Sequence, residues 1–144
     1  MAENLFFEDV QEGDAAPEWA LEDVKRTHFV KYAGASGDFN PMHHDDAVAT
    51  AVGYPSVFGH GMFTAGVLSG YVTRYIGGVA NLRAFSTRFK TQLWPGDTIT
   101  CKATVTRKFK DGDESRIELD LLVVNQDGKE LIQGKATAAL PSRG

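Results

Sequence analysis

From Arg83 onward the chain alternates apolar and polar positions with a period of two. Phe85, Phe89 and Leu93 share one parity with Thr87 and Thr91, and the run stops at the turn Trp94-Pro95-Gly96-Asp97. Ile99, Cys101, Ala103 and Val105 then alternate with Thr98, Thr100, Lys102, Thr104 and Thr106, the pattern of a half-buried strand. Lys110-Asp111-Gly112-Asp113 turns the chain into Ile117, Leu119, Leu121 and Val123, which alternate with Glu118 and Asp120. Gln126-Asp127-Gly128-Lys129 makes a further hairpin, and residues 130–140 form a last strand. Four strands joined by short turns predict an antiparallel meander.

The first half reads as helix and loop. Thr27 is placed to cap a short helix through Ala33, and Asp45 or Asp46 to cap another that runs to about Val52 and ends at Gly53. Residues 58–77, FGHGMFTAGVLSGYVTRYIG, are apolar on almost every face, and Arg74 is their only charge. That pattern predicts a helix buried all round. Ala65, Gly66, Ser69 and Gly70 leave little side-chain bulk on it, so another backbone can pass close. One long buried helix and a sheet of at least four strands give an α+β layer arrangement, with a curved antiparallel sheet wrapped around a central helix.

At 144 residues, with 42% hydrophobic and 24% charged positions, the chain is expected to form one domain over residues 1–144. A net charge of −4 gives no basic footprint for nucleic acid. Cys101 is the single cysteine, which excludes an internal disulfide and a cysteine zinc site. The amino terminus MAENLFFEDV does not read as a signal peptide, and no stretch has the roughly 18–20 apolar residues of a membrane span. A reducing, cytoplasmic setting is the expectation.

Against this background the stretch SGDFNPMHHDD, residues 36–46, stands apart. Gly37, Asn40 and Pro41 are turn formers, and Asp45 and Asp46 ordinary helix caps, so a polar loop accounts for part of it. It does not account for Phe39, Met42 and the apolar lead-in around the acidic and imidazole groups. A metal site is disfavoured, because the adjacent His43 and His44 would point apart and no His-x-x-x-His or Glu-x-x-His spacing accompanies them. There is no G-x-S-x-G elbow, and Cys101 lies mid-strand on the apolar parity, which disfavours a nucleophile. Asp38 and His43 are five residues apart with a bend at Asn40-Pro41 between them. Such a loop can aim a carboxylate and an imidazole at one partly apolar spot, where both proton affinities move towards neutrality.

The run YAGASGDFNPMHHD, Tyr32 to Asp45, resembles the signature of the MaoC-like or R-specific enoyl hydratase family, centred on Ser-Gly-Asp-x-Asn-Pro-x-His. A second landmark of that family, a His-Gly-Met turn entering the central helix, stands here as His60-Gly61-Met62. The resemblance implies a hotdog fold, a catalytic pair Asp38 and His43, and a Gly61 backbone N–H given to the thioester carbonyl oxygen. It also places Ser69 at a site-lining position and His44 at a variable one. Asn40 is expected to buttress the loop, and His60 to be a satisfied structural imidazole, with orienting the turn as the alternative.

The implied reaction is reversible hydration of a 2-enoyl thioester, of R stereochemistry by the resemblance alone. A backbone N–H at a helix N-terminus stabilises the enolate that forms as water attacks C3. No cofactor is expected. The acyl group would ride on coenzyme A or an acyl-carrier-protein phosphopantetheine arm, with Arg74, Arg83, Arg88 and Lys90 as candidate phosphate partners. A bare sheet edge is an aggregation risk, and the fold covers it by pairing two sheets, so a homodimer or higher homo-oligomer is expected, or a pairing with a sister hotdog subunit. Two other functions compete: an acyl thioesterase, and a non-catalytic acyl-binding subunit of a hetero-oligomeric dehydratase.

Overall fold

The alternating runs at residues 99–105 and 117–123 become strands that bury one parity each. The structure, a computed structural model, describes residues 5–144, so part of the amino-terminal segment weighed above as a signal peptide, residues 1–4, lies outside it. β1 (Trp19–Leu21), β2 (Leu82–Phe89), β3 (Ile99–Asp111), β4 (Glu114–Val124) and β5 (Glu130–Leu140) form one antiparallel sheet in the order β1-β3-β4-β5-β2. Ile99, Cys101, Ala103 and Val105 of β3 and Ile117, Leu119, Leu121 and Val123 of β4 are buried, as their parity demands. A slip of one residue would turn all eight to solvent, and each large aliphatic side chain lost from the core forfeits about 1.5–3 kcal/mol. The register is therefore well specified.

The sheet departs from a four-stranded meander in one respect. β3, β4 and β5 are joined by hairpins, but β2 lies beyond β5 and pairs with it, not with β3. The Trp94-Pro95-Gly96-Asp97 turn is thus no hairpin. Residues after β2 leave the sheet at Phe89, short of Leu93, and are claimed by loops: Leu93 O accepts from Gly59 N–H at 2.8 Å, and Gly96 N–H donates to Val24 O at 2.7 Å. Asp97, buried at 7% exposure, accepts from Trp94 N–H and from the Gln126 side-chain amide. These bonds carry the chain across to start β3.

Three helices complete the fold. α1 (Arg26–Ser36) starts at Lys25, whose N–H donates to His28 Nδ1 at 2.9 Å, and runs three residues past Ala33. The imidazole of the first turn, rather than the Thr27 hydroxyl, takes that orphan donor. α2 (Asp46–Ala51) is capped by Asp45. α3 (Gly61–Tyr75) lays Thr64, Ala65, Leu68, Tyr71 and Val72 against the sheet. It is not buried all round. Met62 is 60% exposed, Gly66 and Arg74 are exposed, and a Cβ at Gly66 or Gly70 would meet nothing within 4 Å. The close approach expected of the small residues is not made at Gly66 or Gly70 within this chain, whereas Ala65 is buried in the core. No helix among the described residues is long and apolar enough to cross a membrane.

Candidate active site

The loop between α1 and α2 folds on its own side chains. Gly37 takes the left-handed conformation, φ 75°, that ends α1, and its N–H donates to Ala33 O. Asn40 N–H donates to Asp38 Oδ1 at 3.2 Å, and Met42 N–H to Asn40 Oδ1 at 3.0 Å. Pro41 then opens a 3-10 turn, Pro41–His43, for which its fixed φ is suited. Asp45 caps α2, accepting from Ala47 N–H at 2.9 Å. Asp46 accepts from Arg26 Nη1 at 2.7 Å and from Val57 N–H at 3.0 Å, tying the first turn of α2 to α1 and to the approach to α3. Asn40, Asp45 and Asp46 are thus engaged in shaping the loop.

The adjacent imidazoles do point apart. His43 Nδ1 lies 2.7 Å from Phe58 O, and His44 Nε2 3.2 Å from Phe39 O. A carbonyl only accepts, so each of these nitrogens carries hydrogen, and neutral His43 has its lone pair on Nε2. His43 is half-buried, Asp38 exposed. A carboxylate oxygen of Asp38, one ring nitrogen of His43 and one of His60 lie within 4.8 Å of one another. The His43 and His60 rings are stacked, with centroids 3.8 Å apart and planes at 29°. Burial holds the His43 pKa below the ordinary imidazole value, and the neighbouring His60 and His44 rings add to it. The Phe58 carbonyl and the Asp38 carboxylate pull the other way.

The same three side chains are the candidates for holding a metal ion. The stacking of the two imidazoles argues against it: in-plane lone pairs of near-parallel rings run side by side instead of converging.

Gly61 follows His60 as the first residue of α3, and its N–H makes no hydrogen bond among the described residues. It therefore stands as a free donor at the positive end of a fifteen-residue helix. A cleft of about 380 Å³ opens beside it, lined by Phe58, Thr64, Phe89, Lys90 and Leu131 among others. Phe58 joins the cleft to the Asp38–His43 cluster, since its ring lies 5.2 Å from that of His43. Ser69 is placed elsewhere: its hydroxyl donates to Gly66 O at 2.9 Å, and it does not line the cleft. Of the expected cations, Arg83 is bound to Glu114 at 2.7 Å and Arg74 lies 4.7 Å over the Trp19 ring, while Lys90 faces the cleft. Phe58 and Phe89 were missed in the sequence. The apolar parity of β2 marks Phe89 as inward-facing, but nothing local marks a backbone carbonyl such as that of Phe58.

Residues 13–126 match the family described as MaoC like domain. The (R)-specific enoyl-CoA hydratase of Rhodospirillum rubrum is 31% identical over 140 residues, covering 96% of this chain and 94% of that protein. Among solved structures, the unliganded R-hydratase of Pseudomonas aeruginosa superposes with a TM-score of 0.85 at 24% identity, over 97% of this chain and 88% of that one. A chain of the ChsH1-ChsH2 complex from Mycobacterium tuberculosis gives 0.78 at 26% identity, over 90% and 98%. With the paired Asp38 and His43 beside the His60-Gly61-Met62 turn, on a sheet curved about α3, the chain belongs to the MaoC-like hotdog family.

Proposed function

We propose that this protein adds water reversibly across the C2=C3 bond of a 2-enoyl thioester, giving a 3-hydroxyacyl thioester. The reading is carried by one observation: a carboxylate and an imidazole from one loop meet beside an unengaged backbone N–H at a helix start. In the hydration direction, a water held by Asp38 and His43 loses a proton to the pair as its oxygen bonds to C3. The π electrons move onto the thioester carbonyl oxygen, where Gly61 N–H donates to the enolate. As the enolate collapses, the pair returns a proton to C2, so that one water is added in all. His43 takes part through Nε2, because its Nδ1 hydrogen is committed to Phe58 O. Atoms of the two groups lie within 4.8 Å of one another, and the pair shares both transfers. The R configuration follows the named hydratase relatives.

The acyl group would be carried on coenzyme A or an acyl-carrier arm, with no cofactor resident in the protein. A second copy of the chain is the partner that the open face of α3 and the free edge of β2 favour. A sister hotdog subunit is the alternative, after the ChsH1-ChsH2 complex.

The test follows loss of the enoyl-thioester absorbance of crotonyl-CoA and a longer 2-enoyl-CoA. Asp38→Asn and His43→Gln should each lower kcat by about 10²–10⁴-fold in folded protein. Activity that survives both substitutions sinks the assignment. A folded wild type inactive on both substrates counts against a homomeric CoA-dependent hydratase, and mass determination by light scattering then shows whether a partner is missing.

A further inference from the structure

His60 is more elaborately held than a packing residue requires. Its ring is 2% exposed, and its Nε2 lies 3.0 Å from the backbone O of Asp38, so Nε2 carries the hydrogen. Its Nδ1 is buried with no partner among the described residues, so the imidazole is not the fully satisfied one expected from the sequence. One face is covered by the His43 ring at 3.8 Å, and Tyr32 packs on it at 4.8 Å with planes at 60°. A buried polar atom without a partner is uncommon and calls for an explanation. A phenylalanine would serve for packing alone, and a glutamine for bonding the Asp38 backbone alone. An imidazole does both at once.

We infer that His60 is a positioning residue for the acid/base pair, one edge of its ring holding the Asp38 backbone while its face carries the His43 ring. The two contacts fix both partners from a second element, the entry to α3, which also supplies Gly61. His43 is thereby held between two constraints. Phe58 O fixes its Nδ1–H, which forbids a ring flip, and the His60 plate fixes its tilt. The groups that face His43 are Asp38 and His44 from its own loop, His60 from α3 and the Phe58 carbonyl. Tyr32 stands behind His60, and Tyr54 packs on Phe58 at 4.8 Å. Positive charge arriving on His43 is opposed by burial first and then by His60.

This role rests on the hydratase reading only where activity is the readout. Two variants separate its parts: His60→Gln keeps an N–H for the Asp38 carbonyl and removes the plate, and His60→Phe keeps the plate and removes the donor. NMR titration of the His43 ring, assigned with His43→Gln, is compared in wild type and both variants. The His43 midpoint should move up in each, because the opposing imidazole is gone. The matching limb of the pH–rate profile should move with it, and kcat should fall roughly tenfold to a hundredfold with KM little changed. Folded variants whose His43 midpoint and pH profile coincide with wild type would overturn the inference. If neither variant folds, nitrogen-15 spectra of the wild type decide: hydrogen on His60 Nε2 and on His43 Nδ1 is expected, and the opposite tautomer at His60 overturns it. Wild type without hydratase activity would remove the proposed reaction and leave the titration test standing. Normal hydration with an unmoved His43 midpoint would remove only the role of His60.

Discussion

The ring of Phe89, the last residue of β2, lies over Gly61, the first residue of α3, with its carbons 3.1–3.3 Å from the place a Cβ would occupy. The pair joins the edge of the sheet to the start of the helix at the mouth of the cleft. Gly61→Ala must therefore push either the ring or the helix start. Phe89 is 51% exposed and can yield, so stability should change little. The N–H aimed at the thioester oxygen would shift, and kcat for crotonyl-CoA hydration should fall about tenfold to a hundredfold, less than the loss of a whole oxyanion donor. Steady-state kinetics on Gly61→Ala and on Gly61→Ala with Phe89→Ala check this. Removing the ring should restore part of the loss.

Stability should depend on the protonation of His43. Its pKa is depressed in the folded protein, mainly by burial. Below the ordinary histidine value of about 6.5 the unfolded chain binds more protons at this position than the folded one, so stability falls as pH drops through that range. Above it the effect vanishes. Melting temperatures of wild type and His43→Gln between pH 8 and 5 check this. The variant loses the bond to Phe58 at every pH, so the slope is the readout, and it should be shallower in the variant.

Gly134 lies in β5 opposite Thr87 of β2. A Cβ there would stand 2.7 Å from the backbone O of Ser86. Backbone cannot swing aside as a side chain can, so Gly134→Ala should force β2 away from β5 and cost about 1–3 kcal/mol of folding stability. Denaturant unfolding measures the cost. Because β2 ends in Phe89, the same variant should raise KM.

Cys101 is fully buried on β3, and burial pushes its thiol pKa up to about 12. It should stay unlabelled by a thiol reagent at pH 8 while the protein is folded, and label at the rate of unfolding in denaturant. Fast labelling of native protein would mean that β3 opens readily.

The opening of α2 at Asp45 or Asp46, the turn at Gly37 and the bend at Asn40-Pro41 were legible because each acts on neighbours within a few residues. The Asp38-to-His43 spacing was legible for the same reason: the loop turns on its own side chains, so its sequence contains most of its geometry. The alternation of β3 and β4 was legible because burial on one side of a sheet imposes a period of two. Other features are agreements between remote segments. That β2 crosses to pair with β5 depends on Leu93 and Gly96 bonding to Gly59 and Val24, which no window of neighbouring residues records. The open face of α3 has the apolar character of a buried one, because composition reports what a surface can cover and not whether the same chain covers it. The stack of His43 on His60, the seat of His60 on the Asp38 carbonyl and the bond from His43 to Phe58 O join positions 15–22 residues apart. That Asp38 and His43 meet could thus be read from the sequence. The orientation of the His43 and His60 rings, and the tautomers that follow from it, were decided by backbone carbonyls that only the tertiary fold brings to them.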